Sequence, residues 1–198
     1  MSFAMTFAMT VLAGAALAPV TATAQGESHA AHVHGLARLA VVVDGAQLSI
    51  AFESPLHNLV GFEHAPRTAE QRETVARMMA ALNAPADLFA PTSAAACSPL
   101  RIAIESPWLV GADGHDDHHD HHHDHDHNHD HDHGRDYDHA DLYAEYDFHC
   151  DAPSELRGLE VGLFAHFPGI ERIQAELATP GGQSAIRLDA GTRELRWR

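Results

Sequence analysis

The sequence predicts an α+β fold: a single domain built on a mostly antiparallel β-sheet with one main helix and a long disordered His/Asp-rich insert. Three observations predict it. "LARLAVVVDGAQLSIAFES" places alternating apolar and polar residues on both sides of Asp44-Gly45, which is how two antiparallel strands around a tight turn read. "PRTAEQRETVARMMAALNAP" spaces Val75, Met78, Met79 and Leu82 at helical intervals. Several short apolar segments in the second half read as further strands, and strands with one helix make an α+β domain.

The first 24 residues are expected to be a secretory signal peptide. An apolar run from Phe7 to Val20 leads to an A-x-A site at Ala22-Thr23-Ala24, the form of a cleaved leader. No Lys or Arg precedes the run, which is a departure from the usual leader. A membrane anchor is the competing reading, but the run falls short of the roughly 20 apolar residues that span a bilayer. Residues 25–31 then read as a flexible lead-in to a metal-binding domain over 32–198.

In the hairpin, an Asp44-Gly45 turn of type I′ would set Val43 opposite Ala46, Val41 opposite Leu48, Leu39 opposite Ile50 and Ala37 opposite Phe52. All of these are apolar and share one face, because side chains alternate along a strand. Arg38, Gln47, Ser49 and Glu53 fall on the other face. The helix that follows has Thr68 and Gln71 spaced as a capping box, and Asn83 and Pro85 end it. Its methionine pair is expected in the core, where thioethers fill irregular space, ahead of a copper-thioether alternative. Strands are expected at 98–105, 142–150, 159–164, 170–178, 184–188 and 194–197.

Between two of those strands lies "HDDHHDHHHDHDHNHDHDH". From His115 to His133 it holds eleven histidines, seven aspartates and one asparagine. No aliphatic residue lies between Ala112 and Ala140, so residues 113–138 have nothing to bury against the entropy of ordering and are expected to be disordered without metal. The candidate ligands are His115, His118, His119, His121, His122, His123, His125, His127, His129, His131 and His133. Neutral imidazole suits zinc, copper and nickel, and carboxylates add hard oxygen donors. So many alternative ligand sets favour capacity and fast exchange over one rigid site.

Cys97 and Cys150 bracket this run. In an exported chain two cysteines most often form a disulfide, here expected to staple the base of the insert. Metal ligation is the alternative, although no C-x-x-C pair occurs.

A second histidine group flanks the hairpin. "HAAHVHG" holds His29, His32 and His34, and "ESPLHNLVGFEH" holds Glu53, His57, Glu63 and His64. Extending the register back from the turn sets Leu36 opposite Glu53, His34 opposite Pro55 and His32 opposite His57. His32, His34, Glu53 and His57 would then share the polar face as an ordered zinc site, with Glu53 or His64 as its remaining ligand. Exposed histidines with ordinary hydrogen bonds are the plainer alternative. His149 and His166 stand alone and read as structural.

The formal charge is −16, of which ten aspartates and one arginine in residues 113–138 carry −9. No basic patch points to nucleic acid, and an anionic surface disfavours acidic lipid. Neither G-x-S-x-G nor a P-loop is present. An H-x-H pair also opens barrel hydrolases, but 198 residues with one convincing helix fall short of eight strand–helix units. A binding protein and not an enzyme is expected, a monomer with no membrane insertion once the signal is cleaved. A copper or nickel buffer is the closest alternative to a zinc protein, because affinity order alone places copper above zinc.

"HVHGLARLAVVVDGAQLSIAFESPLHNLVGFEHAP", the spaced cysteines, the His/Asp insert and "LFAHFPGIERIQAEL" resemble the ZrgA-type periplasmic zinc-uptake family, with similarity over about Ala30 to Arg198. The H-x-H-G and G-F-E-H pieces are its most specific parts. The resemblance implies a periplasmic zinc-binding accessory that assists a zinc ABC importer or its solute-binding protein. It carries the family's metal-binding histidines onto His32, His34, His57, His64 and the insert.

Overall fold

The hairpin forms, with its turn displaced by one residue. In the computed structural model, which describes residues 33–106 and 140–197, β1 is Leu36–Asp44 and β2 is Gln47–Pro55. Asp44 pairs with Gln47, so Gly45 and Ala46 are the two central residues. Gly45 takes φ +57° and Ala46 does not have positive φ, which is the type II′ pattern with Gly first. A type I′ turn on Asp44-Gly45 would ask an aspartate for positive φ, where a side chain is strained and glycine is not. The true pairs are therefore Val43–Leu48, Val41–Ile50, Leu39–Phe52 and Arg38–Glu53. A shift of two residues keeps the parity of every side chain. Ala37, Leu39, Val41, Leu48, Ile50 and Phe52 accordingly still share the buried face.

Downstream come α1 (Leu56–Val60), α2 (Ala69–Leu82), α3 (Pro85–Leu88), β3 (Phe89–Pro91), β4 (Cys97–Glu105) and β5 (Asp141–Cys150). The remainder is β6 (Gly158–Val161), α4 (Leu163–His166), β7 (Arg172–Thr179), β8 (Gly182–Leu188) and β9 (Glu194–Arg196). The main sheet runs β4-β5-β2-β1-β7-β8 and the small one β3-β6-β9. All pairings are antiparallel except β1 with β7, as the mostly antiparallel expectation requires. The expected strand over 159–164 stops at Val161: Gly162 donates to Leu88 O at 2.7 Å and the chain turns into α4.

One face of the main sheet is the floor of the core. Leu142, Tyr146 and Phe148 from β5 and Ile173 and Leu177 from β7 join the hairpin residues there. Met78 and Leu82 of α2 bury into the same cluster with Leu88, Phe89, Leu159 and Leu195, and Met79 packs at its rim. The capping box is present: Gln71 N–H donates to Thr68 Oγ1 at 3.2 Å, and Thr68 N–H donates to Gln71 Oε1 at 3.3 Å. Asn83 caps the other end of the helix. The Tyr146 hydroxyl donates to Leu82 O at 3.0 Å, which pins α2 to β5, and burial pushes its pKa well above the usual range. The opposite face of the sheet presents exposed residues, Val42 and Tyr143 among them.

Cys97 and Cys150 are joined as a disulfide and are register partners of β4 and β5. They do not staple the base of the insert. The insert connects the other ends of these strands, after Glu105 and before Asp141. Because strand polarity alternates in an antiparallel pair, the bridge closes the far end, roughly 25 Å away at about 3.3 Å per residue.

The expected signal peptide (1–24), the lead-in (25–31), His32 and the insert (113–138) lie outside the described residues. No helix among the described residues is long and apolar enough to cross a membrane.

Candidate metal centre

Two of the expected ligands meet. The rings of His34 and His57 stack with centroids 3.9 Å apart and planes 8° apart. They do not meet by ladder pairing, as the sequence suggests. β2 ends at Pro55, which fixes its own φ and has no N–H to continue a ladder. The chain turns at once into α1, and His57 is its second residue. His34 lies in a turn closed by the bond from Leu36 N–H to Val33 O at 3.0 Å.

Asn58 brings the two segments together. Its side chain accepts from Gly35 N–H at 2.7 Å and donates to Leu36 O at 3.0 Å and Ser54 Oγ at 3.2 Å. It is 2% exposed, so these bonds form away from water and losing them would leave buried groups unpaired. Gly35 is gripped from the other side as well, its carbonyl accepting from Glu171 N–H at 2.8 Å and Arg172 N–H at 2.9 Å. Its φ of +80° is one that a side chain would strain. In effect the Asn58 amide extends the pairing of β1 past the point where β2 stops.

The carboxylate beside this pair is Glu63. His34 Nε2 lies 3.2 Å from Glu63 Oε1, with the His34 side chain 57% exposed and that of Glu63 only 17%. Glu53 is elsewhere: it faces Arg38 across the hairpin at 3.7 Å, on the exposed side of the sheet with Tyr143. Burial first, and then the charges of Glu53 and Asp141, raise the Tyr143 hydroxyl pKa, with Arg38 opposing. His64 is exposed, with Nδ1 2.9 Å from Ala65 O and its ring 5.3 Å from that of Phe62. His149 and His166 are exposed on the surface, the first 3.8 Å from Asp151.

A cleft of about 510 Å³ opens beside the imidazole pair, lined also by Asn58, Thr74, Gly169 and Glu171. Imidazole lone pairs lie in the ring plane. Two parallel rings therefore direct them along parallel planes, whereas a tetrahedral ion needs donors converging from separate directions. One ring must turn before both can serve one ion. Accordingly, no three His, Cys, Asp or Glu side chains among the described residues stand in metal-holding geometry as placed.

The sequence reading missed Asn58 and the short helix that carries His57. The helix had a signal: Leu56, Leu59 and Val60 recur at helical spacing after Pro55, and Gly61 caps it at φ +83°. The role of Asn58 had none, because an asparagine that replaces a ladder partner looks like any other loop asparagine.

The chain that follows the insert re-enters the sheet near this pair. Leu56 N–H, one residue before His57, donates to Ala140 O at 2.9 Å, at the root of β5 where the insert returns. Comparison with curated proteins finds no match for the chain. The model of the ZrgA family, described as zinc uptake proteins, matches residues 31–197. With that match over most of its length, and with imidazoles gathered at the end of the sheet where the histidine run is rooted, the chain belongs to the ZrgA family of zinc uptake proteins.

Proposed function

We propose that this protein captures zinc in the periplasm and supplies it to a zinc ABC importer or its solute-binding protein. The His/Asp-rich insert collects ions at high capacity, and the ordered histidine group at the sheet end holds one for transfer. The observation that carries the reading is the position of the insert's root, one hydrogen bond from the residue before His57. An ion passed back along that run would reach the folded chain next to the ordered pair. In this reading His34 and His57 are ligands, and His32 and His64 are available to complete the shell from neighbouring segments, Glu53 being turned to Arg38.

Zinc suits these donors, since imidazole and carboxylate are its usual non-thiolate ligands. The two tasks make different demands. A run of alternating histidines binds many ions and loses ordering entropy with each, while a folded pair that needs only one ring to turn loses less and can hold its ion more tightly.

Growth under zinc starvation tests the uptake role. Cells lacking the protein should grow poorly in chelated medium and recover with added zinc, and the intact gene should restore them. Normal growth in chelated medium, together with sensitivity to excess copper or nickel, would place the protein in buffering of those metals. Transfer is read separately, by mixing zinc-loaded protein with the importer's solute-binding protein and following the metal.

A further inference from the structure

Glu63 has no part in the ligand set expected from the sequence, yet it is the carboxylate that touches an imidazole of the pair. Its Oε1 lies 3.2 Å from His34 Nε2, and it is much the less exposed of the two. A carboxylate only accepts, so the ring nitrogen facing it carries the proton. That leaves Nδ1 of His34 with the free lone pair. Neutral imidazole has one donor and one acceptor nitrogen, and the hydrogen bond at one decides which atom can bind metal at the other. A shielded carboxylate behind a ligand histidine also holds the ring's orientation.

Of the other carboxylates nearby, Glu53 is engaged elsewhere and Glu171 lines the same cleft against Gly35. Glu53 faces Arg38 at 3.7 Å. The carboxyl carbon of Glu171 packs over Gly35, 2.9 Å from where a Cβ would stand.

We propose that Glu63 is a positioning residue for the zinc site: it holds His34 in the Nε2–H tautomer, so that zinc is ligated through His34 Nδ1. This rests on the reading above that His34 is a zinc ligand, and adds which atom binds and what selects it. Glu63 does not replace His64 as a ligand in this scheme. It stands behind the first ligand, which also explains why it is more shielded than the ring it contacts.

The test is nitrogen-resolved NMR on the full chain with ¹⁵N-labelled histidine, titrated with zinc ion. The His34 signals are identified by their loss in His34→Ala, which separates them from the eleven histidines between His115 and His133. Without zinc, His34 should show the Nε2–H tautomer; with zinc, Nδ1 should move to the metal-bound range while Nε2 keeps its proton. Glu63→Ala should give mixed tautomers and weaken the zinc response of His34 about tenfold, the lower end of the usual effect of losing such a partner. Glu63→Gln, which keeps an acceptor oxygen, should restore the tautomer and part of the affinity, and a dispersed amide spectrum shows that each variant is folded. Zinc on Nε2 in the wild type, or a Glu63→Ala protein with unchanged tautomer and affinity, overturns the proposal while leaving His34 a ligand. His34 and His57 both silent to zinc would overturn the ordered site itself, a result distinct from either.

Discussion

Asn58 holds Gly35 across 23 residues of sequence, accepting its N–H at 2.7 Å from a side chain that is 2% exposed. The same amide donates to Leu36 O and to Ser54 Oγ. One residue thus anchors the start of β1, the end of β2 and the turn that carries His34. Asn58→Ala leaves the Gly35 N–H and the Leu36 carbonyl without this partner. At about 1–3 kcal/mol for a buried group left unpaired, a loss of about 2–4 kcal/mol in stability is expected. Urea unfolding measures it, and the ring-current shifts of His34 and His57 should collapse in the still-folded fraction. An unchanged midpoint would show that Asn58 only fills space.

Stacked imidazoles at the sheet end lead to a prediction about where zinc is held. Deleting residues 113–138 should lower the number of zinc ions bound but leave cooperative unfolding intact, because that segment has no aliphatic residue for a core. In the shortened protein, His32→Ala, His34→Ala and His57→Ala together should abolish zinc binding without unfolding the chain. Calorimetric titration reads both. Equal zinc binding before and after the triple change would mean that the ordered histidines are merely exposed side chains. Binding should also weaken as the solution is acidified, since protons compete for the ligand nitrogens.

The disulfide makes a separate prediction. Cys97 and Cys150 are 53 residues apart in sequence and close a loop containing the whole insert. In the chain-entropy account a loop of that length is worth about 4 kcal/mol, so Cys97→Ser with Cys150→Ser should lower stability by about that much. Removing the insert roughly halves the loop, which should change the bridge's contribution by only about 0.6 kcal/mol. Denaturant curves with and without reductant, on both chain lengths, give the four numbers. Thiol titration of the unfolded, unreduced protein should find no reactive thiol.

Asp147 sets an acid-side dependence. Ser49 Oγ–H donates to its Oδ1 at 2.7 Å and Arg101 Nε–H to its Oδ2 at 3.0 Å. Chiefly the Ser49 bond, then the Arg101 bond, hold its pKa below the ordinary 3.8, with burial opposing. A carboxyl depressed in the folded state stabilises the fold above its unfolded pKa, and that contribution is lost as pH falls through the folded value. Asp147→Asn should therefore flatten the loss of stability below pH 3.8. The effect should be small, because the side chain is about one-third exposed and water screens it. Equal slopes for the two proteins in acid unfolding would remove Asp147 from the account.

Much of the fold is local chemistry and can be read from the sequence. The alternation around Gly45 determines which face of the hairpin is buried, and it survives a wrong turn type because a shift of two residues preserves parity. The capping box of Thr68 and Gln71 determines where α2 starts, since both bonds lie within one helical turn. The pairing of Cys97 with Cys150 follows from two cysteines in a chain expected to be exported. The expectation that the histidine run binds metal comes from composition alone.

What the tertiary structure decided is everything that depends on where strands end in space. Turn register hung on whether Asp44 or Gly45 takes the first positive φ, an energy difference that an alternating pattern does not encode. The disulfide closes the far end of β4 and β5 because the strands run antiparallel away from the insert, and spacing along the chain says nothing of direction. His34 meets His57 through a helix after Pro55 and the buried amide of Asn58, and its carboxylate partner is Glu63 while Glu53 turns to Arg38. Contacts between residues 23 or 29 positions apart are set by the packing of the whole sheet end, and no local pattern carries them.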